Sequence, residues 1–352
     1  MKKVTILLVL FCFWICANGQ QIEEARNMAT KLLAHYPGLS VAVGIKDSII
    51  WSEGFGYADV THKVCVTENT TFRMYSLSKS ITGIALAKLI SAGKLELNRK
   101  AVDYLPNLPE HYKKVTVAQL IGHSAGVRHY KKGEWMRFSK GKCLLASDAL
   151  EAFINDPLVQ NPGTSFQYST FGYIILSAII ESITKSSFDD YIRQQVCKPM
   201  GISNIFLDQP NDNKSQQSIY YDSWDISKWK AKEATGINNS CKMGGGGLIG
   251  SARSLALLHL GLLNGKLLDE NTQKIYYTGI KDAAGKSLQY GFGLKIGDRN
   301  GKPYFSHAGS GQGGSSVILI YPDEKAVIVL AGNMEDDTMN SVAGKMLQLF
   351  LD

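Results

Sequence analysis

The sequence predicts an α/β (α+β) fold, an antiparallel sheet flanked by helices with a mainly helical insertion region. Three observations carry that reading. Strand-like alternation stands near the start, in LSVAVGIKDSIIWSEGFGYADV, and again near the end, in SSVILIYP and KAVIVLAGN. Between about residues 100 and 235, helical runs such as FGYIILSAIIESI alternate with polar turns, and few strands stand out. Sheet segments that far apart imply one domain completed by both ends of the chain. The expected layout is a single domain over 20–352, its α/β part formed by 20–75 and 236–352 and its helical part by 76–235.

The first element is a leader. The chain opens MKKVTILLVLFCFWICANGQQ, with Lys2 and Lys3 ahead of an uncharged apolar run from Val4 to Ala17, then a small-x-small pattern at Ala17-Asn18-Gly19. Residues 1–19 therefore read as a signal peptide; the run is short for a membrane span. Neither Cys12 nor Cys16 follows the small residue that lipidation usually requires. No later stretch reaches the roughly 20 consecutive apolar residues of a spanning helix. The expectation is an exported protein, periplasmic or extracellular, with no integral membrane segment after signal cleavage. Without Lys2 and Lys3 the formal net charge falls from +7 to +5; this mild excess includes no long basic run, and nucleic-acid binding is not expected.

From Glu23 to Leu33 the pattern suits a helix. Two strands come next, around a Lys46-Asp47-Ser48 turn, and a hairpin this early suggests a sheet edge. Leu77, Ile81, Ile84, Ala85, Leu89 and Ile90 then recur at helical spacing, with Gly93 where a C-cap belongs. This predicts a strong amphipathic helix. After the insertion, GGGGLIGSARSLALLHLGLL reads as a glycine-rich turn opening a helix. YGFGLKIG, YFSHAG, SSVILIYP and KAVIVLAGN read as strands, and Met339 to Leu351 as a closing helix.

Several chemistries are set aside on spacing. Gly309-x-Gly311-x-x-Gly314 fits the dinucleotide fingerprint by letter, but that loop must open a helix. Here it leads into SSVILIY and a Pro322-Asp323 turn, so the segment reads as a hairpin. Cys65, Cys143, Cys197 and Cys241 remain after signal removal; they allow three pairings, among which sequence cannot choose, and they suit buried small hydrophobes equally well. No two lie close enough for a zinc pair, and the histidines form no H-E-x-x-H. Neither a metal nor a cofactor is expected.

Two signals compete for a nucleophile. Gly122-His123-Ser124-Ala125-Gly126 matches the G-x-S-x-G elbow of α/β-hydrolases, which needs a strand before the serine and a helix immediately after it. Just beyond Ser124, however, the chain runs into the polar, basic VRHYKKGEW, and the preceding VTVAQLI fits a short helix as well as a strand. The other signal is Ser-x-x-Lys, present at Ser76/Lys79, Ser91/Lys94, Ser139/Lys142, Ser182/Lys185 and Ser227/Lys230. Only Ser76 stands at the start of a strong helix, where one turn brings Lys79 onto the same face and unpaired backbone N–H groups favour a developing anion. The other four read as solvated surface. Two further pieces are Tyr168-Ser169-Thr170, on a turn before an apolar helix, and His307-Ala308-Gly309, at the end of the strand YFS.

In this order, Ser76-Leu77-Ser78-Lys79, Tyr168-Ser169-Thr170 and His307-Ala308-Gly309 resemble the three motifs of the serine β-lactamase and DD-peptidase superfamily, in its class C-like branch. The chain is also similar to the LACTB-like members, described as β-lactamase-related serine hydrolases or peptidases. Supporting segments such as TTFRMYSLSKSITGIALAKLISAGKLEL and NPGTSFQYSTFGY extend the resemblance over nearly the whole mature chain. It implies a β-lactamase/transpeptidase-like fold. Ser76 would attack a carbonyl to form an acyl-enzyme, Lys79 and Tyr168 would share its proton in an order the sequence leaves open, and His307 would line the opposite wall and hydrogen-bond substrate or Tyr168. The backbone N–H groups of Ser76 and Ser310 would form the oxyanion hole, with Thr170 and Gly309 on the substrate-binding side, and water would complete the cycle without a cofactor.

Two departures matter. Where many members carry Tyr-x-Asn, this chain has Thr170, without the side-chain amide. Where lactamases commonly carry Lys-Thr-Gly, it has His307, which is largely neutral near pH 7; some DD-peptidases and many esterases of the superfamily share that histidine. The leading expectation is a secreted serine hydrolase with a small-molecule or peptide substrate. The alternatives are a catalytically weak binding or scaffold protein of the same fold, or an α/β-hydrolase using Ser124. His123 and Ser124 are otherwise expected to shape the helical region beside the cleft. Natural substrate and oligomeric state stay open at this level.

Overall fold

The computed structural model describes residues 19–209 and 216–351. The expected signal peptide lies outside the described residues except for Gly19, which stands at the start of the first helix, α1 (19–32).

The core of the fold is an eight-stranded sheet. Its strands in chain order are β1 (Gly38–Ile45), β2 (Ser48–Asp59), β3 (Val64–Cys65), β4 (Tyr290–Gly291), β5 (Leu294–Arg299), β6 (Lys302–Gly311), β7 (Gly314–Tyr321) and β8 (Ala326–Gly332). They lie in the order β3-β2-β1-β8-β7-β6-β5-β4, every pairing antiparallel. The opening strands join the closing ones through β1 and β8, with Val41 opposite Leu330 and Val43 opposite Ile328.

Alternation of side chains at period 2 makes this a layered structure. Leu39, Val41 and Val43 share one face with Leu319, Ile328 and Leu330, packed under α1 and the closing helix α5 (Thr338–Gln348). Ala42, Ile318, Ile320, Val327 and Val329 face the other way. They pack on a second core built with α2 (Ser78–Ser91), α3 (Thr170–Thr184) and α4 (Ala252–Leu263). With both faces covered, β7 and β8 are buried along their whole length, which is why they read as unbroken apolar runs. The mixed class expected from the sequence, an antiparallel sheet flanked by helices, is the one observed.

Local details depart from the sequence reading. The early hairpin is not the sheet edge, because β1 sits third from it and the two-residue β3 occupies it; alternation alone cannot reveal that β8 pairs with β1 from nearly three hundred residues away. Nor is α2 amphipathic, since Ser78, Lys79, Ser80 and Thr82 are as buried as Ile81 and Ile84. A Cβ on its Gly83 would stand 1.8 Å from the Phe292 carbonyl oxygen. This helix is central, and its polar residues face other parts of the protein. It ends as expected, with Gly93 at φ 65° and the Lys94 N–H donating to the Leu89 carbonyl at 2.9 Å.

The region 76–235 is not helical throughout, for it includes a hairpin of Tyr221–Asp225 with Lys230–Glu233. Of the three cysteine pairings, the structure has Cys143–Cys241 as a disulfide, leaving Cys65 exposed and Cys197 buried, both free. The disulfide ties the helical region to the glycine-rich loop before α4. The segment Gly309 to Gly314 is the β6–β7 hairpin, with Gly311 opposite Gly314. Among the described residues no helix is long and apolar enough to cross a membrane.

Candidate active site

The site begins where a short strand, Phe72–Arg73, hands over to α2. Phe72–Arg73 pairs with Leu248–Gly250, and the Met74 N–H donates to the Leu248 carbonyl at 3.0 Å. The chain then bends through a single 3₁₀ turn, Tyr75–Leu77, before α2 starts at Ser78. Tyr75 adopts φ 46°, a conformation that costs a non-glycine residue about 1–3 kcal/mol and needs surrounding structure to hold it. Strand β6 supplies that support. A Cβ on Gly309 would lie 2.0 Å from the Met74 carbonyl oxygen and 2.9 Å from the Ser76 nitrogen, so only glycine lets the strand approach this closely. Next to it, the Ser316 hydroxyl donates to the Met74 carbonyl at 2.8 Å.

This bend leaves Ser76 partly exposed, one helical turn from Lys79. The Lys79 Nζ lies 3.3 Å from the Ser76 Oγ and 3.3 Å from the Thr170 Oγ1, and it donates to the Gly245 carbonyl. It also sits 4.9 Å from the centre of the Tyr168 ring. Lys79 is fully buried and forms no ion pair among the described residues. Burial first, and then the positive charge of Lys242, hold its pKa well below the usual lysine range. The Tyr168 phenol moves the opposite way, raised by burial and partly held back by hydrogen bonds with the Ser76 and Thr170 hydroxyls.

Tyr168 reaches this point because α3 starts right behind it. Ser169 caps α3 by accepting from the Gly172 N–H at 3.1 Å, while its own hydroxyl donates to the Arg128 carbonyl. The His123 ring packs 4.5 Å from the Tyr168 ring, and its Nδ1 accepts from the Ser169 N–H. Thr170 lies where its hydroxyl faces Lys79, and its N–H donates to His129 Nδ1.

Ser76, Thr170, Gly245 and Ser310 line one cavity of about 510 Å³, together with Lys242 and Glu335. Gly309 and Ser310 follow each other on β6, which presses against the Ser76 turn at Gly309, so Ser76 and Ser310 border the same cavity. The structure thus brings together Ser76, Lys79, Tyr168, Thr170, Gly309 and Ser310. His307 stands apart from the expected arrangement. It is 4% exposed, its Nδ1–H donates to the Ala308 carbonyl at 2.7 Å, and its Nε2 accepts from the Tyr290 hydroxyl at 3.1 Å. Its hydrogen-bond partner is Tyr290 rather than Tyr168, because the turn of β4 puts that phenol nearer; the Tyr168 ring is 6.2 Å from the His307 ring. Burial, then the Lys79 charge, push the imidazole down to about 3, so it is neutral.

The rival serines fall away. Ser124 is fully buried, its hydroxyl makes no hydrogen bond among the described residues, and the preceding Val117–Ile121 is a helix capped by Thr116, not a strand. Ser91, Ser182 and Ser227 donate to Asp269, the Tyr104 carbonyl and Asp225. Ser139 corrects the expectation of a solvated surface: it is buried and bonded to Trp135 and Asn239. Sequence reasoning missed Lys242, His129 and Glu335, all at the cavity. The lysine two residues before a run of four glycines, in SCKMGGGG, was a visible signal; the other two had none.

The fold recurs among known proteins. The chain is 26% identical over 439 residues to human serine beta-lactamase-like protein LACTB, mitochondrial, an alignment covering 93% of this chain and 79% of the relative. Among solved structures it superposes on the octameric penicillin-binding protein homologue from Pyrococcus abyssi with a TM-score of 0.77 at 21% identity, over 94% of this chain and 77% of that one. D-amino acid amidase from Ochrobactrum anthropi SV3, complexed with L-phenylalanine amide, gives 0.75 at 18% identity over 93% and 99%. The model of the family described as Beta-lactamase matches residues 25–350: the chain belongs to the Beta-lactamase family, a family of serine hydrolases.

Proposed function

We propose that the protein is an exported serine hydrolase that forms an acyl-enzyme on Ser76 with an amide, peptide, ester or β-lactam carbonyl. The observation that carries this reading is Lys79, a fully buried lysine without a carboxylate partner among the described residues, 3.3 Å from a serine hydroxyl that opens on a cavity. Burial and the nearby Lys242 charge hold the pKa of Lys79 well below the usual lysine range, which favours the neutral form that can accept the serine proton.

The opposed shifts of Lys79 and Tyr168 divide the work. Lys79, lowered, takes the Ser76 proton as Oγ attacks the carbonyl carbon. Tyr168, raised, stays protonated and donates to the leaving group as the tetrahedral intermediate collapses. The backbone N–H groups of Ser76 and Ser310 hold the developing oxyanion, a contribution of about 3–4 kcal/mol per donor. Water then attacks the acyl-enzyme with the proton path reversed. His307, neutral and bonded to Tyr290, orients that phenol and the β6 wall.

Export is supported by the leader-like first residues and by the Cys143–Cys241 disulfide, which suits an oxidising compartment. The intact mass of the mature protein should correspond to a chain beginning near Gln20; a retained Met1 speaks against it. For the activity, a fluorophosphonate or penicillin probe should label wild-type protein stoichiometrically and leave Ser76→Ala unlabelled. Folded wild-type protein that takes no label sinks the proposal. A panel of nitrocefin, a p-nitrophenyl ester and a D-Ala-D-Ala peptide then identifies the carbonyl class, and label without turnover on any of them points to a binding protein. Because a lysine base works only when neutral, kcat/KM should rise with pH through the lowered pKa of Lys79.

A further inference from the structure

Lys242 is the second buried lysine of the site, and its circumstances are unlike those of Lys79. It is 6% exposed and lines the cavity that Ser76 opens on. Its Nζ makes no hydrogen bond and no ion pair among the described residues; it lies over the face of the Tyr75 ring, 5.0 Å from the centroid. An ammonium taken out of water without a partner is costly.

The surrounding groups leave it in that state. Asp208 is bound to the Arg73 guanidinium at 2.7 Å and accepts from Asn239 at 2.8 Å. Glu335, half-buried at the cavity, feels the Lys242 charge but forms no ion pair with it, and Arg73 adds a like charge. Burial and Arg73 lower Lys242 to about 8, against the opposing pull of the Asp208 and Glu335 carboxylates, so it remains mostly charged at pH 7. His129 and His307, pushed down to about 4 and about 3, add no charge. The remaining cations on the lining are Lys131 and Lys132, both exposed.

The position of Lys242 is also built. The disulfide anchors the preceding residue, Cys241, to the helical region, and the Ser240 hydroxyl accepts from the Cys143 N–H. A Cβ on Gly246 would stand 3.7 Å from the Lys242 Cδ, while the carbonyl of the adjacent Gly245 holds Lys79. One glycine loop therefore separates a lysine bonded to the nucleophile from a lysine aimed into the space beside it.

We infer that Lys242 is the anion-recognising group of this site and that the substrates it favours carry a carboxylate, which pairs with the Lys242 ammonium while Ser76 attacks the carbonyl. This rests on Ser76 being the nucleophile. Two ester pairs test it: 4-nitrophenyl hydrogen glutarate against 4-nitrophenyl butyrate puts the carboxylate on the acyl side, and 3-carboxyphenyl butyrate against phenyl butyrate puts it on the leaving side. Lys242→Gln should lower the anionic-to-neutral ratio of kcat/KM by about tenfold or more in one pair, the usual worth of a charge-assisted hydrogen bond, and Lys242→Arg should restore much of it. The pair that responds gives the side on which the carboxylate lies. A ratio unchanged in both pairs overturns the inference. A binding measurement separates this from the hydrolase reading. Glutarate titrated calorimetrically into Ser76→Ala protein should bind at least tenfold more tightly than into Ser76→Ala/Lys242→Gln; equal affinities, or no binding, overturn the role of Lys242. If wild-type protein hydrolyses no ester and takes no fluorophosphonate, the hydrolase reading falls and the glutarate titration alone decides.

Discussion

Ser76 and Ser124 stand in turns of the same kind. Each comes directly after a non-glycine residue held in a left-handed conformation, Tyr75 at φ 46° and His123 at φ 58°. Beyond the bend they diverge. Ser76 opens a buried helix, meets a lysine at 3.3 Å and borders a cavity, whereas Ser124 is fully buried with no partner for its hydroxyl. A strained turn can present a hydroxyl, but attack also needs a base and room for a carbonyl. The Ser124 turn serves the other instead. The Ser124 carbonyl accepts from Gly163, the His123 carbonyl from Gln167 and the His123 ring from Ser169, which pins the segment delivering Tyr168.

The sharpest way to break this contrast is to remove the base and keep its volume. Lys79→Met should lower kcat/KM on any active ester by about 10²- to 10⁴-fold, the usual share of general acid–base catalysis. Stability should not suffer. With its pKa lowered in the fold, Lys79 holds its proton more tightly in the unfolded chain, so its protonation favours unfolding until the pH passes its ordinary value. Methionine removes that bias, and the urea midpoint should hold or rise. A folded Lys79→Met enzyme at wild-type rate would mean that Ser76 and Ser124 do not differ in the way described.

A smaller effect is expected from loosening the Ser76 turn without touching its chemistry. Gly309→Ala places a Cβ 2.0 Å from the Met74 carbonyl and within 2.9 Å of the Ser76 nitrogen, so the turn and β6 must part. A displacement approaching 1 Å costs about 10²-fold in rate, and the two proposed oxyanion donors lie on the two parts that separate. The decrease should appear in kcat, with circular dichroism showing the fold intact. An unchanged kcat would show that the close approach of β6 does not set the geometry.

The range of the forces involved decides which side of this contrast the sequence revealed and which it hid. The helix after Ser76 and its lysine one turn on are local, and so is the polar run after Ser124 that argues against an elbow. The strands β7 and β8 were readable because burial on both faces demands unbroken apolar residues. Hidden were features set by remote partners. The place of β1 depends on β8, the burial of Ser78 and Thr82 on their remote partners Leu248 and Gly244, and the choice among three cysteine pairings on the folded path from 143 to 241. The same holds for the site. Ser76, Lys79 and Tyr168 announce themselves by spacing and order, while the Tyr290 partner of His307 and the aim of Lys242 exist only once β4 and the glycine loop are in place.

The smallest effect belongs to Ser124→Ala, and it tests the contrast from the other side. The Ser124 hydroxyl is sealed and unbonded, and the turn is held by backbone groups that alanine retains: the N–H donating to Gln119 and the carbonyl accepting from Gly163. Removing a buried hydroxyl with no partner relieves a desolvation penalty of about 1–3 kcal/mol, set against the small void left by one oxygen. The urea midpoint should therefore stay or move slightly upward, kcat/KM should remain within about twofold of wild type, and the fluorophosphonate label should still sit on Ser76. A large loss of activity would place Ser124 in the chemistry. A large loss of stability with activity per folded molecule intact would instead mean that the hydroxyl helps hold the Tyr168 segment, and the two serines would then share one structural task.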